Sequence, residues 1–184
     1  MILDPKDFKR ILPLPLTLIT TVSKDGVPNA APYGCVVPVL RPLDLIAIVS
    51  ALPRDTLRNI RETGEFVVNV VAPPCFKKAM LCAKAYPPEV NELEAVGLES
   101  VPSREVTPPR VKDALGWIEA RLQEEILRDR YALIIGRVVC AEINDTYMQN
   151  GKLNESPVVI MFPFFKTLEP NIGSREEFED IIGH

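Results

Sequence analysis

A strand-like run that leads directly into a helix start is the feature that most constrains how this chain can fold. Leu43 to Ser50 is a nearly continuous apolar run of strand length, which predicts a central strand of a sheet. Pro53 to Ile60 follows and predicts a turn and a short helix over Asp55 to Thr63, closed by Gly64. The unit therefore predicts a buried strand, a turn and a helix with one face turned inward.

The same helix start is suited to holding a phosphate. Backbone N–H groups at a helix N-terminus lack intrahelical partners and carry partial positive charge. Arg54 would add a planar fork of donors, and Ser50 and Thr56 would add hydroxyls. On these residues alone the commoner arrangement is simpler, with Asp55 capping the helix and Arg54 and Arg58 in water. Both interpretations stay open at this point.

Bulk properties exclude several classes of protein. The 184 residues suit a single domain spanning 1–184, and 47% hydrophobic with 25% charged residues is typical of a globular chain. The net charge of −4 argues against general affinity for nucleic acid or anionic lipid. An anion must therefore be bound by local geometry.

The chain ends and cysteines predict a cytoplasmic protein. Residues 1–12 mix charged with apolar side chains and so lack the hydrophobic core of a signal peptide, and no apolar run approaches a membrane span. The four cysteines form no CxxC pair and have no histidine nearby, which disfavours zinc and a redox dithiol. They are Cys35, Cys75, Cys82 and Cys140. We expect reduced, mostly buried thiols, no metal site and no membrane association.

The single histidine limits the chemistry. It is His184, the last residue, where chains usually fray. A catalytic triad or a histidine metal site needs an ordered imidazole. If the protein is an enzyme, the reactive group therefore belongs to a bound cofactor.

Paired strands dominate the predicted secondary structure. Thr17 to Ser23, the Asp25-Gly26 turn and Pro28 to Val39 predict a hairpin. Ala114 to Leu127 fits a strand and a helix, and we choose the strand because Tyr131 to Ile143 would complete a long hairpin with it. One further strand is predicted over Glu65 to Val71.

Short helices are predicted around these strands. One follows Asp4-Pro5, and its residues Phe8, Ile11 and Leu12 are expected to pack on the body. A second follows Pro73-Pro74, and its core-facing residues are Phe76, Ala79, Met80 and Ala83. Two more are predicted at Glu89 to Val96 and after a capping box at Ser174 to Glu177. The proline-rich segment 86–110 is interpreted as a surface excursion that could edge a substrate pocket.

An aromatic run follows the Asn150-Gly151 turn. Val158 to Phe165 contains three phenylalanines, and dense aromatic clusters usually form a core or a subunit interface. The less common alternative is a ring that covers a ligand.

The second strand of the first hairpin is unusual in its small residues. Small residues weaken strand packing and often mark the close approach of a ligand or another backbone. The segment reads Asn29, Ala30, Ala31, Pro32, Tyr33, Gly34 and Cys35. It fits a flat ring lying on exposed backbone, and it equally fits a crowded barrel corner.

Three blocks of the sequence carry a family resemblance. They are 16–22 with Asp25-Gly26, 28–33, and 54–60 running into 64–69. In this order and spacing they resemble the flavin reductase-like, FMN-binding split-barrel family, and 117–143 is similar to the family's later strands. The resemblance implies a mainly β fold with added helices, an antiparallel Greek-key split β-barrel, a homodimer, and FMN, with FAD as an alternative, in a cleft near the subunit interface.

The resemblance also implies site residues. The flavin ring would lie along Asn29 to Cys35, mostly on main chain, and the phosphate would sit with Ser50, Arg54 and Thr56, with Asn59 supporting that loop. Many relatives have lysine at Arg54 and some have a polar residue at Ala31. Backbone donors are therefore expected to carry more of the ring contact. Cys35 could modulate the ring, although an inert thiol is the commoner case.

The hypothesis that follows is an FMN-dependent oxidoreductase without a catalytic side chain of its own. NAD(P)H would give hydride to the flavin, and free flavin, ferric iron, oxygen or a partner protein would accept the electrons. The chain lacks a GxGxxG fingerprint, so the nicotinamide would bind transiently. The alternatives are an electron-transfer flavoprotein without a nicotinamide site and a non-catalytic module for a phosphorylated ligand; a nucleic-acid-binding barrel is disfavoured by the acidic balance.

Overall fold

The structure is a computed structural model that describes residues 2–39 and 44–167. The strands are β1 Leu14–Pro15, β2 Thr17–Val22, β3 Pro28–Tyr33, β4 Val36–Val39, β5 Leu45–Ala51, β6 Glu65–Val70, β7 Ser100–Val101, β8 Arg110–Val111, β9 Gly116–Leu127, β10 Tyr131–Ile143, β11 Met148–Gln149, β12 Lys152–Leu153, β13 Val158–Met161 and β14 Phe164–Thr167. The α-helices are α1 Asp55–Thr63, α2 Phe76–Leu81 and α3 Glu92–Ala95. Short 3₁₀-helices span Pro5–Arg10, Pro73–Cys75 and Asp145–Tyr147.

Seven strands form one antiparallel sheet in the order β3-β2-β6-β9-β10-β5-β4. Both predicted hairpins are present: β2 pairs with β3 through a turn in which Gly26 has φ +83°, and β9 pairs with β10 along most of their length. The ambiguous run before Leu127 is therefore a strand, as chosen. β13 lies between β1 and β14 in a separate three-stranded sheet.

The two edges of the large sheet are joined by only two residues. β3 is one edge strand and β4 is the other, and Gly34 and Cys35 connect them. Two residues span roughly 7 Å at most, so the sheet must curl until its edges approach each other. The Cys35 carbonyl accepts from the Val49 N–H at 3.0 Å, which fixes this seam to β5. The predicted continuous strand from Pro28 to Val39 is thus wrong, because the chain changes edges at its middle.

The apolar strand before the first helix is not central. β5 lies second from the edge, between β10 and β4. Residues Leu45 to Ile48 are nevertheless buried, and Ile46 and Ile48 face the barrel interior. The prediction of burial is confirmed and the prediction of a central position is wrong.

Alternation along the strands divides the core into two clusters. Ile19 and Val68 point into the barrel with Leu57 and Ile60 of α1, whereas their neighbours Leu18 and Val67 point to the outer cluster. That outer cluster also contains buried residues of α2 and α3. Helices α2 and α3 therefore pack on the outer side of the sheet near β2 and β6, and α1 packs against the inner side.

The first helix matches its prediction except at its cap. It begins at Asp55, and Gly64 ends it with φ +74°. The N-cap residue is Arg54, which makes no side-chain capping bond, and Asp55 instead pairs with Arg58 at 2.8 Å. The predicted capping role of Asp55 is therefore wrong, and the N-cap residue of α1 leaves the first N–H groups of the helix without a side-chain acceptor.

Two other predicted elements are corrected by the structure. The N-terminal 3₁₀-helix is capped by Asp4, but Phe8, Ile11 and Leu12 are exposed instead of packing on the body. The aromatic residues Phe162, Phe164 and Phe165 are also exposed in the described part of the chain, so the predicted core position is wrong there, whereas the predicted subunit interface stays a prediction. The predicted last helix and His184 lie outside the described residues.

The proline-rich excursion is held by a buried ion pair. Glu119 is fully buried and accepts the backbone N–H groups of Arg104 and Glu105 at 2.9 and 2.7 Å, and the Arg110 Nε at 2.6 Å. Hydrogen bonds from Arg104 and Arg110 lower the pKa of Glu142 to about 2. The excursion contains α3, shorter than predicted, and carries it to the edge of the barrel.

Candidate functional site

A cavity of about 720 Å³ opens where β3 meets the start of α1. Its other walls come from the end of β5, from residues 82–86 and from α3. Eight of the predicted site residues line it: Asn29, Ala31, Pro32, Tyr33, Gly34, Cys35, Arg54 and Thr56. Two predicted segments that are some twenty residues apart in the sequence thus line one cavity in the structure.

Three other predicted site residues do not line the cavity. Ala30 faces the outer core, and Ser50 is fully buried with its Oγ 2.8 Å from the Tyr33 hydroxyl. Asn59 is buried behind the cavity, where its Nδ2 donates to Thr21 Oγ1 at 3.1 Å. Ser50 and Asn59 therefore support the cavity walls from behind.

The Thr56 hydroxyl reaches the cavity wall with its proton already engaged. Its Oγ1 donates to Asn29 Oδ1 at 3.1 Å, and the side chain is almost fully buried. A hydroxyl has one proton to donate. In this arrangement Thr56 therefore offers an incoming phosphate its backbone N–H and not its hydroxyl.

Four cations and two carboxylates line the cavity. Arg58 pairs with Asp55, and Arg61 pairs with Glu125 through its Nε at 3.0 and 3.1 Å. The side chains of Arg54 and Lys84 make no hydrogen bond or ion pair with any residue in 2–39 or 44–167. Arg54 is thus the predicted phosphate ligand whose side-chain donors are all free, at the N-terminus of a nine-residue helix.

The register of β3 determines which of its backbone groups can meet a ligand. Ala30 N–H points away from β2, so Pro28 and Pro32, two residues to either side, point the same way and have no N–H. The N–H groups of the intervening residues face β2. Of the backbone N–H groups along 29–35 that were expected to contact a ring, those of Gly34 and Cys35 therefore remain available. Carbonyl acceptors also remain along the strand edge.

Glu92 accepts a hydrogen bond from Ala30, the one residue of β3 whose N–H points outward. Its carboxylate accepts from Ala30 N at 3.0 Å and from Asn29 Nδ2 at 2.6 Å, and it also lines the cavity. Burial raises the pKa of Glu92, and the nearby Asp55 raises it further, against the lowering effect of these hydrogen bonds. Glu92 therefore places a buried carboxylate beside the small-residue strand.

Crowding explains one of the small residues. A Cβ on Gly34 would lie 3.2 Å from Ile160 Cδ1 of β13, so this glycine allows the three-stranded sheet to pack on the seam. Ala31, by contrast, faces the cavity. Crowding therefore accounts for Gly34, and the contact of Ala31 with a flat ring stays a prediction.

The two cysteines at the cavity differ in exposure. Cys35 is exposed and Cys82 is buried, and burial raises the pKa of Cys82 to about 12. At neutral pH Cys82 is therefore a thiol. All four cysteines are unpaired, and the described residues contain no group of three or more potential metal ligands.

Sequence reasoning missed Glu92 and Lys84 as cavity residues. Glu92 contacts strand residues more than sixty positions away, and nothing in its neighbourhood distinguishes it from the exposed Glu94. The proline-rich composition of 86–110 was the only available signal, and it correctly placed this excursion at the edge of the pocket.

The residues present fit a flavin nucleotide. The volume lies within the range of about 300–1,000 Å³ that is usual for small-molecule sites. The free guanidinium of Arg54 and the N–H groups of α1 suit a phosphate, and the flat wall of Ala31 and Pro32 suits a planar ring. An antiparallel sheet whose two edge strands are joined at a seam beside such a cavity defines a split-barrel protein.

Comparison with known proteins agrees with this class. The sequence profile described as "Flavin reductase like domain" matches residues 8–157. The chain therefore belongs to the flavin reductase-like family. No helix in the described ranges has the length and apolar character needed to span a membrane.

Individual relatives support the assignment. An uncharacterized protein of Methanothermobacter thermautotrophicus is 45% identical over 151 residues, which are 79% of this chain and 70% of the relative. The crystal structure of nitrilotriacetate monooxygenase component B from Bacillus cereus is similar with a TM-score of 0.82 at 26% identity, over 95% of this chain and 98% of the other. The NADH:FAD oxidoreductase SgcE6 of Streptomyces globisporus C-1027 shares the fold with a TM-score of 0.75 at 19% identity, over 92% and 98% of the two chains.

Proposed function

We propose that this chain is an FMN-dependent oxidoreductase that takes hydride from NADH or NADPH and passes electrons to free flavin, ferric iron or a partner protein. The observation that carries the proposal is the cavity in which unpaired Arg54, at the N-terminus of α1, faces the small-residue strand β3. FAD is the alternative cofactor, because the cavity volume does not discriminate between the two. The bound flavin would accept the hydride, and the protein would supply binding and orientation.

The chain's own residues have distinct tasks in this proposal. Arg54 and the first N–H groups of α1 bind the phosphate, and Asn29, fixed by Glu92 and Thr56, holds the strand against the helix. The N–H groups of Gly34 and Cys35 and the outward carbonyls of β3 are the groups available to the ring edge. The described residues offer no imidazole, so proton transfer falls to solvent, to Glu92 or to the ligand itself.

A homodimer is part of the proposal. The outward face of β5, β10 and β9 carries Val49, Leu133, Ile135 and Ile126, which belong to neither core cluster. Val49 also lines the cavity, so a second copy on this face would form an additional wall of the site. An apolar patch of this kind is typical of a subunit interface. Leu133→Asp is therefore expected to give a monomer with weaker flavin binding, as measured by light scattering and by fluorescence titration.

We further propose a single functional domain that works in the cytoplasm. The family match spans most of the chain, and seven of the described strands form one continuous sheet. Four unpaired thiols are the state that a reducing compartment maintains.

The deciding experiment is spectroscopic. The purified protein, or the protein incubated with FMN, is expected to show the visible absorption of bound flavin, and anaerobic addition of NADH or NADPH is expected to bleach it. Bleaching by reduced ferredoxin alone would instead identify an electron-transfer protein. A protein that stays colourless after incubation with FMN and FAD would be a module for another phosphorylated ligand.

A further inference from the structure

No cation in the described ranges forms an ion pair with the buried carboxylate of Glu92. Only 6% of the residue is exposed, and both of its hydrogen-bond partners, Asn29 Nδ2 and Ala30 N, are donors. Since no acceptor is within hydrogen-bond distance in the described residues, a proton on this group would have no protein partner. The contacts therefore fit the ionised form.

The two oxygens of Glu92 each accept one N–H and so satisfy the edge of β3. An amide at this position has one acceptor oxygen for these two donors. Burying an unpaired charge is costly, and such groups concentrate where charge has a function. The ionised carboxylate thus satisfies the strand edge and at the same time places a negative charge at the cavity.

We propose that Glu92 sets the preference of this cavity for the oxidised over the reduced form of its flavin. This inference rests on the proposed function. The ring of oxidised FMN is neutral, whereas the two-electron-reduced ring carries a negative charge at neutral pH. A carboxylate lining the same cavity repels the reduced ring and not the oxidised one.

The other charged groups around the cavity act differently. Asp55 is partly neutralised by Arg58, and Arg54 stands where the phosphate, present in both oxidation states, would bind. Arg61 is neutralised by Glu125. Lys84 of the 82–86 wall is a cation that forms no ion pair with Glu92, and Cys82 of the same wall is uncharged at neutral pH. Glu92 is therefore the acid at the cavity whose charge no described cation pairs.

The test compares the wild type with Glu92→Gln by anaerobic redox titration of bound FMN and by the dissociation constant of oxidised FMN. We expect the variant to bind reduced FMN about tenfold more tightly relative to oxidised FMN, which raises the midpoint potential by about 30 mV for a two-electron couple. The difference between the two proteins should shrink as pH falls through the raised pKa of Glu92, where the wild-type carboxylate becomes neutral.

Two controls separate charge from structure. Glu94→Gln removes the same charge from the exposed face of α3 and should leave the potential unchanged. Glu92→Asp keeps the charge while shortening the side chain, so it should retain most of the wild-type ratio even if both affinities fall. It also serves as the test variant should Glu92→Gln fail to fold.

The outcomes are distinguishable. Parallel weakening of both oxidation states in Glu92→Gln, or a tenfold change of the ratio in Glu92→Asp, would show that Glu92 only positions the strand. A wild-type protein that binds no flavin would overturn the proposed function itself, and this inference with it.

Discussion

The free guanidinium of Arg54 gives the sharpest prediction for the cavity. Replacing Arg54 with alanine removes the only side-chain donors that remain free among Ser50, Arg54, Thr56 and Asn59. A hydrogen bond to a charged group contributes about 1.5–3 kcal/mol. Arg54 is exposed, so the lower value applies, and FMN should bind about tenfold more weakly.

The protein itself should be little affected by this change. The Arg54 side chain makes no hydrogen bond or ion pair with another described residue that would be lost, and α1 is held by the buried Leu57 and Ile60. The free energy of unfolding should therefore change by no more than about 0.5 kcal/mol. Urea unfolding of the apoprotein measures this, separately from ligand binding.

Riboflavin provides the matched control, because it has the same ring and no phosphate. Fluorescence titration of Arg54→Ala should show weaker FMN binding and unchanged riboflavin binding. Arg58→Ala is the control variant, since Arg58 is already paired with Asp55, and it should change FMN affinity less. An equal loss for both ligands in Arg54→Ala, or no loss for FMN, would place the phosphate elsewhere.

Three predictions concern the fold. Gly136→Ala would put a Cβ 2.5 Å from the fully buried Phe66 ring, so we expect a loss of about 1–3 kcal/mol in urea unfolding; unchanged stability would show that the ring can move. Arg110→Met would leave the buried Glu119 without its cation and should lower the free energy of unfolding by about 3–5 kcal/mol. Adding Glu119→Gln to this variant should restore part of that loss, and fully additive losses of the two single variants would contradict the pairing. Because the pKa of Glu142 is lowered to about 2 from 4.5, its contribution to stability is present above pH 4.5 and is lost as pH falls toward about 2. In thermal unfolding, Glu142→Gln should therefore lose less stability than the wild type as the pH falls through this range. An equal loss in both proteins would show that Glu142 does not contribute.

Local sequence signals predicted the elements that local interactions determine. The Asp25-Gly26 turn, the Gly64 helix end and the long β9–β10 hairpin were all recognised from neighbouring residues. The switch of edges at Gly34 and Cys35 was not, because it depends on how seven strands curl together. The exposed positions of Phe162 and Phe164 were also missed, since composition indicates apolar character and not what covers it.

The candidate site divides in the same way. Arg54 and the small residues of β3 were found because helix starts and strand composition are visible along the chain. The direction of the Thr56 hydroxyl and the burial of Glu92 were not, because both are set by Asn29 across the fold. Hydrogen-bond polarity between distant segments has no sequence signature.

The edge of β3 has a consequence for how this protein behaves at high concentration. With prolines at two outward positions and a carboxylate on the third, the strand cannot template the addition of a foreign strand, which is the first step of many aggregation reactions. Replacing Pro32 would restore a donor beside the cavity mouth, and self-association of such a variant could be followed by its fibril-specific dye fluorescence. The strand that lines the cavity is thus also an edge that resists the addition of a strand from another molecule.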